Sequence, residues 1–206
     1  MASASIRLIL FDVGGVLIEL SGLTILLNWL ENRLTTEQVY THWLTSPCVR
    51  AFETGSIEPE LFAEQLIAEL RLPVSQEEML REFANWGQRV LPGAIELVAR
   101  LPRNCVRATL CNTNAVQWPN VMNHTGLLSA FDHHFASHLT GKIKPDPEAF
   151  EHVLATLDVR PAETVFVDDS RLNIETARRL GIRAYQVKGP IEAERALIDA
   201  GIRLTP

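Results

Sequence analysis

Cysteine is scarce: Cys48, Cys105 and Cys111 are the three in 206 residues. An odd number without paired spacing argues against a disulfide framework and offers no zinc pattern, and it suits reduced thiols in a cytoplasmic protein. A basic excess is missing as well. Nineteen Lys and Arg against 25 Asp and Glu give a formal charge of -6, so the chain carries no overall footprint for nucleic acid or for an anionic membrane surface. Any anion it binds must be caught locally. The apolar run at 6–11 is cut off by Asp12-Val13-Gly14-Gly15, which is too short for a membrane span and lacks the flanks of a signal peptide. No membrane partner and a cytoplasmic location are expected. Internal repeats and low-complexity tracts are also absent. What remains is an ordinary globular composition, 47% hydrophobic and 21% charged, which excludes disorder as the main state and supports a core.

The run 6–11, ended by a glycine pair, has the pattern of a strand buried on both faces of a parallel sheet. Similar runs at 106–110, 164–167 and 183–187, with a weaker one at 131–136, are separated by amphipathic segments at 93–101, 147–157 and 172–180. This βαβ alternation predicts an α/β fold, a Rossmann-like parallel sheet flanked by helices. The 19–90 stretch carries no convincing strand. Leu23, Leu26, Leu27 and Leu30 share one helical face, Glu58-Pro59-Glu60 reads as a helix start, and Ser75 with Glu78 as a capping box. Residues 19–90 are therefore expected to form an all-helical cap inserted after strand one, over a core made of 1–18 and 91–206.

Open parallel sheets bind ligands beyond the carboxyl ends of their strands. There the sequence places Asp12, Cys111-Asn112, Lys142 and Lys144, and Asp168-Asp169. Clustered carboxylates repel unless a cation neutralises them, and hard oxygen donors beside an open position suit Mg²⁺ with a substrate phosphate. Gly14 and Gly15 let backbone amides come close to a phosphate, and a helix starting near Ser170 directs positive dipole at Asp169. Lys144, held extended by Pro145, would balance carboxylate or phosphate charge.

These segments resemble the haloacid dehalogenase-like hydrolases, phosphatases that work through an aspartyl-phosphate. FDVGGVL at 11–17, LCNTN at 110–114, GKIKPDPEAF at 141–150 and VFVDDSRLNIETA at 165–177 are similar, in order, to the family's four motifs. FETGSIEPELFAEQL at 52–66 resembles the helical cap of the branch that includes sugar phosphatases for substrates such as glucose 1-phosphate. The resemblance implies Mg²⁺-dependent hydrolysis of a small phosphate monoester, with Asp12 as nucleophile and Lys144 stabilising charge. It implies metal ligands Asp12, the carbonyl of Gly14 and Asp169, with Asp168 and Asn173 holding water or Asp169 in place. Val13 and Gly14 through the backbone, with Cys111, Asn112 and Lys144, would hold the phosphate.

Two departures stand out. Most phosphatases of the family carry a second aspartate two positions after the nucleophile as general acid and base, and here Gly14 stands there. Such help is worth roughly 10²- to 10⁴-fold. Cys111 stands where Ser or Thr normally donates to phosphate, and a thiol is a weak donor. Asn112 can still donate. These departures open two rivals: a 2-haloacid dehalogenase, which needs no metal but resembles a Ser-Ser-Asn run where this chain has Asp168-Asp169-Ser170, and a phosphate-ester-binding protein without turnover. Plainer roles exist for each residue, as turn aspartate, helix cap or solvated lysine, and Lys142 fits the last. Cys111 reads as a small buried residue, and His133-His134 point to opposite faces of a short strand rather than to one metal. The four tryptophans read as packing. Arg50 and Glu53 of the cap are candidates to face substrate, but sequence does not fix their direction, and no pattern speaks to oligomeric state.

Overall fold

The computed structural model describes residues 5–31, 33–86, 89–125 and 127–205. Its five strands, β1 (Leu8–Phe11), β2 (Val106–Cys111), β3 (His133–Ala136), β4 (Thr164–Asp168) and β5 (Arg183–Gln186), form one sheet ordered β3-β2-β1-β4-β5. Every pairing is parallel. The expected Rossmann-like α/β fold is the observed one. Successive side chains of a strand face opposite sides, and the core divides accordingly. Ile9 and Phe11 pack into one cluster with Leu97, Val98 and Leu197, while Leu8 and Leu10 pack into another with Phe150, Val153 and Ile174.

Helices cover both faces. α1 (Gly22–Trp29), α2 (Thr36–Thr45), α3 (Pro47–Glu53), α4 (Pro59–Leu70) and α5 (Gln76–Ala84) lie between β1 and β2, followed by α6 (Ala94–Ala99). α7 (Trp118–Thr125) precedes β3, α8 (Ser137–Thr140) and α9 (Pro147–Leu157) precede β4, and α10 (Arg171–Arg179) and α11 (Gly189–Asp199) flank β5. Sequence periodicity marks α6, α9 and α10 within a residue or two, but not α7, α8 or α11. α8 has four residues, too few for a period, and α7 carries Pro119 in its first turn.

Local chemistry explains the helix ends. Pro59 and Pro147 open α4 and α9, where a missing amide hydrogen costs nothing. Ser75 accepts from the Glu78 amide at 3.1 Å, as expected, and Thr35 with Gln38 forms a full capping box on α2. α1 to α5 enclose a third core around Phe52, Phe62, Phe83 and Trp86. Phe52 and Phe62 stack at 4.2 Å, and truncating one such buried ring costs about 3–5 kcal/mol.

Candidate active site

The strand order reverses between β1 and β4, and a doubly wound sheet opens a crevice at such a switch. Asp12, just past β1, donates its amide to the Val167 carbonyl at 2.9 Å. It therefore runs beside Asp168, the last residue of β4. Lys144 Nζ joins the two, at 2.8 Å from Asp12 Oδ1 and 2.6 Å from Asp168 Oδ2. All three side chains are buried.

Lys144 is aimed by Asn112. The Asn112 amide group spans the lysine's backbone, donating from Nδ2 to the Lys144 carbonyl at 2.8 Å and accepting the Lys144 amide on Oδ1 at 2.9 Å. One Nδ2 hydrogen is thus committed and one is left for a ligand. The Lys144–Pro145 peptide bond is cis. Asp168 is held from the other side, accepting from the Ser170 amide at 2.7 Å and from Asn173 Nδ2 at 3.0 Å on both oxygens. Asn173 is therefore engaged with Asp168 and orients the lysine's acceptor.

Burial pushes the Asp12 carboxyl up to about 7, with Asp168 and Asp169 adding repulsion against the pull of Lys144. Asp169 is raised for the same first reason, burial, and by its neighbour Asp168. Burial works against the Lys144 charge, yet Asp12 and Asp168 outweigh it and hold the ammonium above its ordinary value. The Lys144 ammonium is bonded to two of these carboxylates, the third feels Lys144 and Lys188 only through their charge, and one oxygen from each of Asp12, Asp168 and Asp169 lies within 4.8 Å of the others. Asp169 lies where a side chain on residue 15 would be: a Cβ there would fall 2.4 Å from Asp169 Oδ2. This oxygen-rich, under-neutralised set fits a hard divalent cation such as Mg²⁺.

Asp12, Gly14, Cys111, Asn112, Lys144, Asp169 and Asn173 all line one cavity of about 240 Å³. Val13 differs, its side chain lying in the core and its carbonyl accepting from the Leu17 and Ile18 amides. Lys142 is not among the lining residues. Burial first, then Asp12, pushes the Cys111 thiol far up, so it stays protonated. His133 is exposed, whereas His134 Nδ1 meets Thr109 Oγ1 at 3.1 Å and packs against Trp118.

Several lining residues carry no motif. Leu20, Tyr40, Trp43 and Glu53 come from the helical segment, and the first three also bound an adjoining chamber of about 300 Å³ with Leu23, Leu26 and Val39. Leu20 covers Gly14, its Cδ2 lying 2.8 Å from where a Cβ would be. The leucines of α1 announce an apolar face, but sequence does not tell which side of it stays open. A wider groove of about 650 Å³ beside β5 and α10 holds none of these groups.

The family model of the haloacid dehalogenase-like hydrolases matches residues 6–181. The chain belongs to this family. A sesquiterpene phosphatase of Aspergillus oryzae is 31% identical over 84% of this chain and 85% of its own. A HAD-family enzyme of Bacteroides thetaiotaomicron, solved with magnesium and inorganic phosphate, superposes with a TM-score of 0.74 at 25% identity, covering 89% of this chain and 95% of that one. An L-2-haloacid dehalogenase superposes with a TM-score of 0.65 at 26% identity, covering 91% and 87%. Among the described residues of this haloacid dehalogenase-like chain, no helix is long and apolar enough to cross a membrane.

Proposed function

We propose that the protein is a phosphatase that hydrolyses phosphate monoesters of apolar alcohols, through an aspartyl-phosphate on Asp12. The observation that carries this reading is the Asp12–Lys144 pair, backed by Asp168, in a cavity that shares Leu20, Tyr40 and Trp43 with an adjoining chamber walled mostly by carbon. Its acidic edge supports a metal-type site, and the similarity to a sesquiterpene phosphatase agrees with the apolar walls.

In this reading 1–18 and 91–206 are the catalytic core and 19–90 the cap. Asp12 attacks phosphorus with its free carboxylate oxygen while Lys144 holds the other and draws phosphoryl charge. Asn112, the backbone at Val13 and Gly14, and the weak Cys111 donor hold the remaining phosphoryl oxygens. Asp12, the Gly14 carbonyl and Asp169 would hold Mg²⁺, which when bound neutralises charge on the phosphoryl group. Asp168 and Asn173 keep Lys144 in place. The apolar half of the ester fills the chamber between α1, α2 and the core. A sugar would bring hydroxyls there, and each one left unpaired costs about 1–3 kcal/mol.

The test is phosphate release from an isoprenyl monophosphate, a sugar phosphate and an aryl phosphate, with and without Mg²⁺, beside Asp12→Asn. Turnover that requires Asp12 and Mg²⁺ and favours the isoprenyl ester is expected. Preference for the sugar phosphate would overturn the substrate class. The dehalogenase rival draws on the likeness to an L-2-haloacid dehalogenase, and metal-independent chloride release from 2-chloropropionate would decide for it.

A further inference from the structure

We propose that Glu53, brought to the cavity by α3, is the general acid and base that Gly14 cannot supply; this rests on the phosphatase reading above. An alkoxide leaves phosphorus slowly unless a proton reaches its oxygen as the bond breaks. The residues of the edge are otherwise engaged: Asp12 as nucleophile, Lys144 and Asp168 with each other, Asp169 toward a cation. The Cys111 thiol is too weak an acid.

Glu53 is the remaining carboxyl on this cavity, which it lines together with Asp12, Gly14, Cys111 and Lys144. Its position is built. Oε1 accepts from Trp43 Nε1 of α2 at 3.2 Å, and the preceding Phe52 is stacked into the aromatic core of the helical segment. Two residues later Gly55, at φ +70°, lies so close to the core that a Cβ would meet the His138 carbonyl oxygen at 2.5 Å. Arg50, on the same helix, forms an ion pair with Asp146 before α9. α3 is thus held to the core from its middle and from just past its C-terminus, and its last side chain turns into the site.

Of the ionisable groups on this cavity, Lys144, from the loop before α9, and the Cys111 thiol at the end of β2 interact with Glu53 through charge, while Asp12, Asp169 and Tyr40 line the same cavity. Burial pushes the carboxyl up to about 7, against the Trp43 hydrogen bond and Lys144. Near neutral pH it can both give and take a proton. In the first step Asp12 oxygen bonds to phosphorus, the ester P–O bond breaks, and the Glu53 proton goes to the departing oxygen, leaving an alcohol and a carboxylate. In the second, water attacks the same phosphorus and gives its proton to Glu53, and the Asp12–phosphorus bond breaks. Phosphate, the Asp12 carboxylate and protonated Glu53 result.

The experiment compares Glu53→Gln with the unaltered protein on an isoprenyl monophosphate and on 2,4-dinitrophenyl phosphate, whose leaving group departs without a proton. kcat/KM on the isoprenyl ester should fall by roughly 10²- to 10⁴-fold, and far less on the dinitrophenyl ester. The alkaline limb of the isoprenyl pH profile should disappear with it. Equal losses on both esters, or no loss on either, would overturn the proposal. Trp43→Phe keeps the acid but removes its hydrogen-bond donor, so the alkaline limb should move to higher pH; if Glu53→Gln does not fold, an unmoved limb in Trp43→Phe overturns the proposal alone. Failure of the reading beneath is distinct: the unaltered protein would then turn over neither ester, or Asp12→Asn would turn over both, and the role of Glu53 falls with it.

Discussion

Gly15 leaves no room for a side chain, because its φ of +70° is left-handed and the Asp169 carboxylate occupies the space beside it. Gly15→Ala must strain the backbone and displace Asp169 together. About 1–3 kcal/mol of stability should be lost, and magnesium affinity should drop in a calorimetric titration; unchanged affinity would remove Asp169 from the metal set. Asp12 yields a second prediction. Its carboxyl is raised from 3.8 to about 7, chiefly by burial, so the folded protein holds a proton that the unfolded chain has released. Stability of the metal-free protein should therefore fall as pH rises from about 4 to 7, since the folded state then binds more protons. Asp12→Asn cannot titrate there and should show a shallower fall. Melting temperatures in EDTA across that range decide it, and equal slopes would refute the shifted Asp12.

At the scale of elements, α3 joins the helical segment to the core by two contacts of different kinds. Arg50 is 55% exposed and its ion pair with Asp146 is open to water, so Arg50→Ala should cost no more than about 1 kcal/mol in urea unfolding. Gly55→Ala should cost more and lower turnover, because a methyl there collides with the His138 backbone and pushes α3 outward. If Arg50→Ala proves the more damaging change, the helix is seated by charge and not by fit. The same contrast marks what sequence can tell. Strands buried on both faces announce themselves as apolar runs, and the residues after them, Asp12, Lys144 and Asp168, are found by the rule that parallel sheets work at their carboxyl edge. The helical nature of 19–90 is legible from spacing and caps. The direction of Glu53 is not, because it depends on Gly55 meeting a carbonyl far away in the chain. Nor is the clamp of Asn112 on Lys144, which joins a side chain to a backbone 32 residues on.

Across the whole molecule, the ionic cluster and the apolar chamber adjoin, with Leu20, Tyr40 and Trp43 common to both. The sheet edge supplies carboxylates and an ammonium, while α1 and α2 supply Leu23, Leu26, Val39 and Trp43. An ester spanning both must place phosphorus at Asp12 and its hydrocarbon in a chamber of about 300 Å³, room for roughly ten water-sized groups at about 30 Å³ each. Leu20 stands at the junction and is 60% exposed, so its truncation should hardly touch folding. Removing its isopropyl group takes away apolar contact with the ester, worth about 1–3 kcal/mol, or roughly 10- to 200-fold. Leu20→Ala should therefore lower kcat/KM on an isoprenyl monophosphate by about tenfold or more, while methyl phosphate, which does not reach the chamber, should be hydrolysed much as before. A parallel loss on both would place Leu20 at the reacting phosphoryl group through its contact over Gly14. No loss on either would mean that the apolar chamber is closed to substrate and that selectivity lies elsewhere along the helical segment.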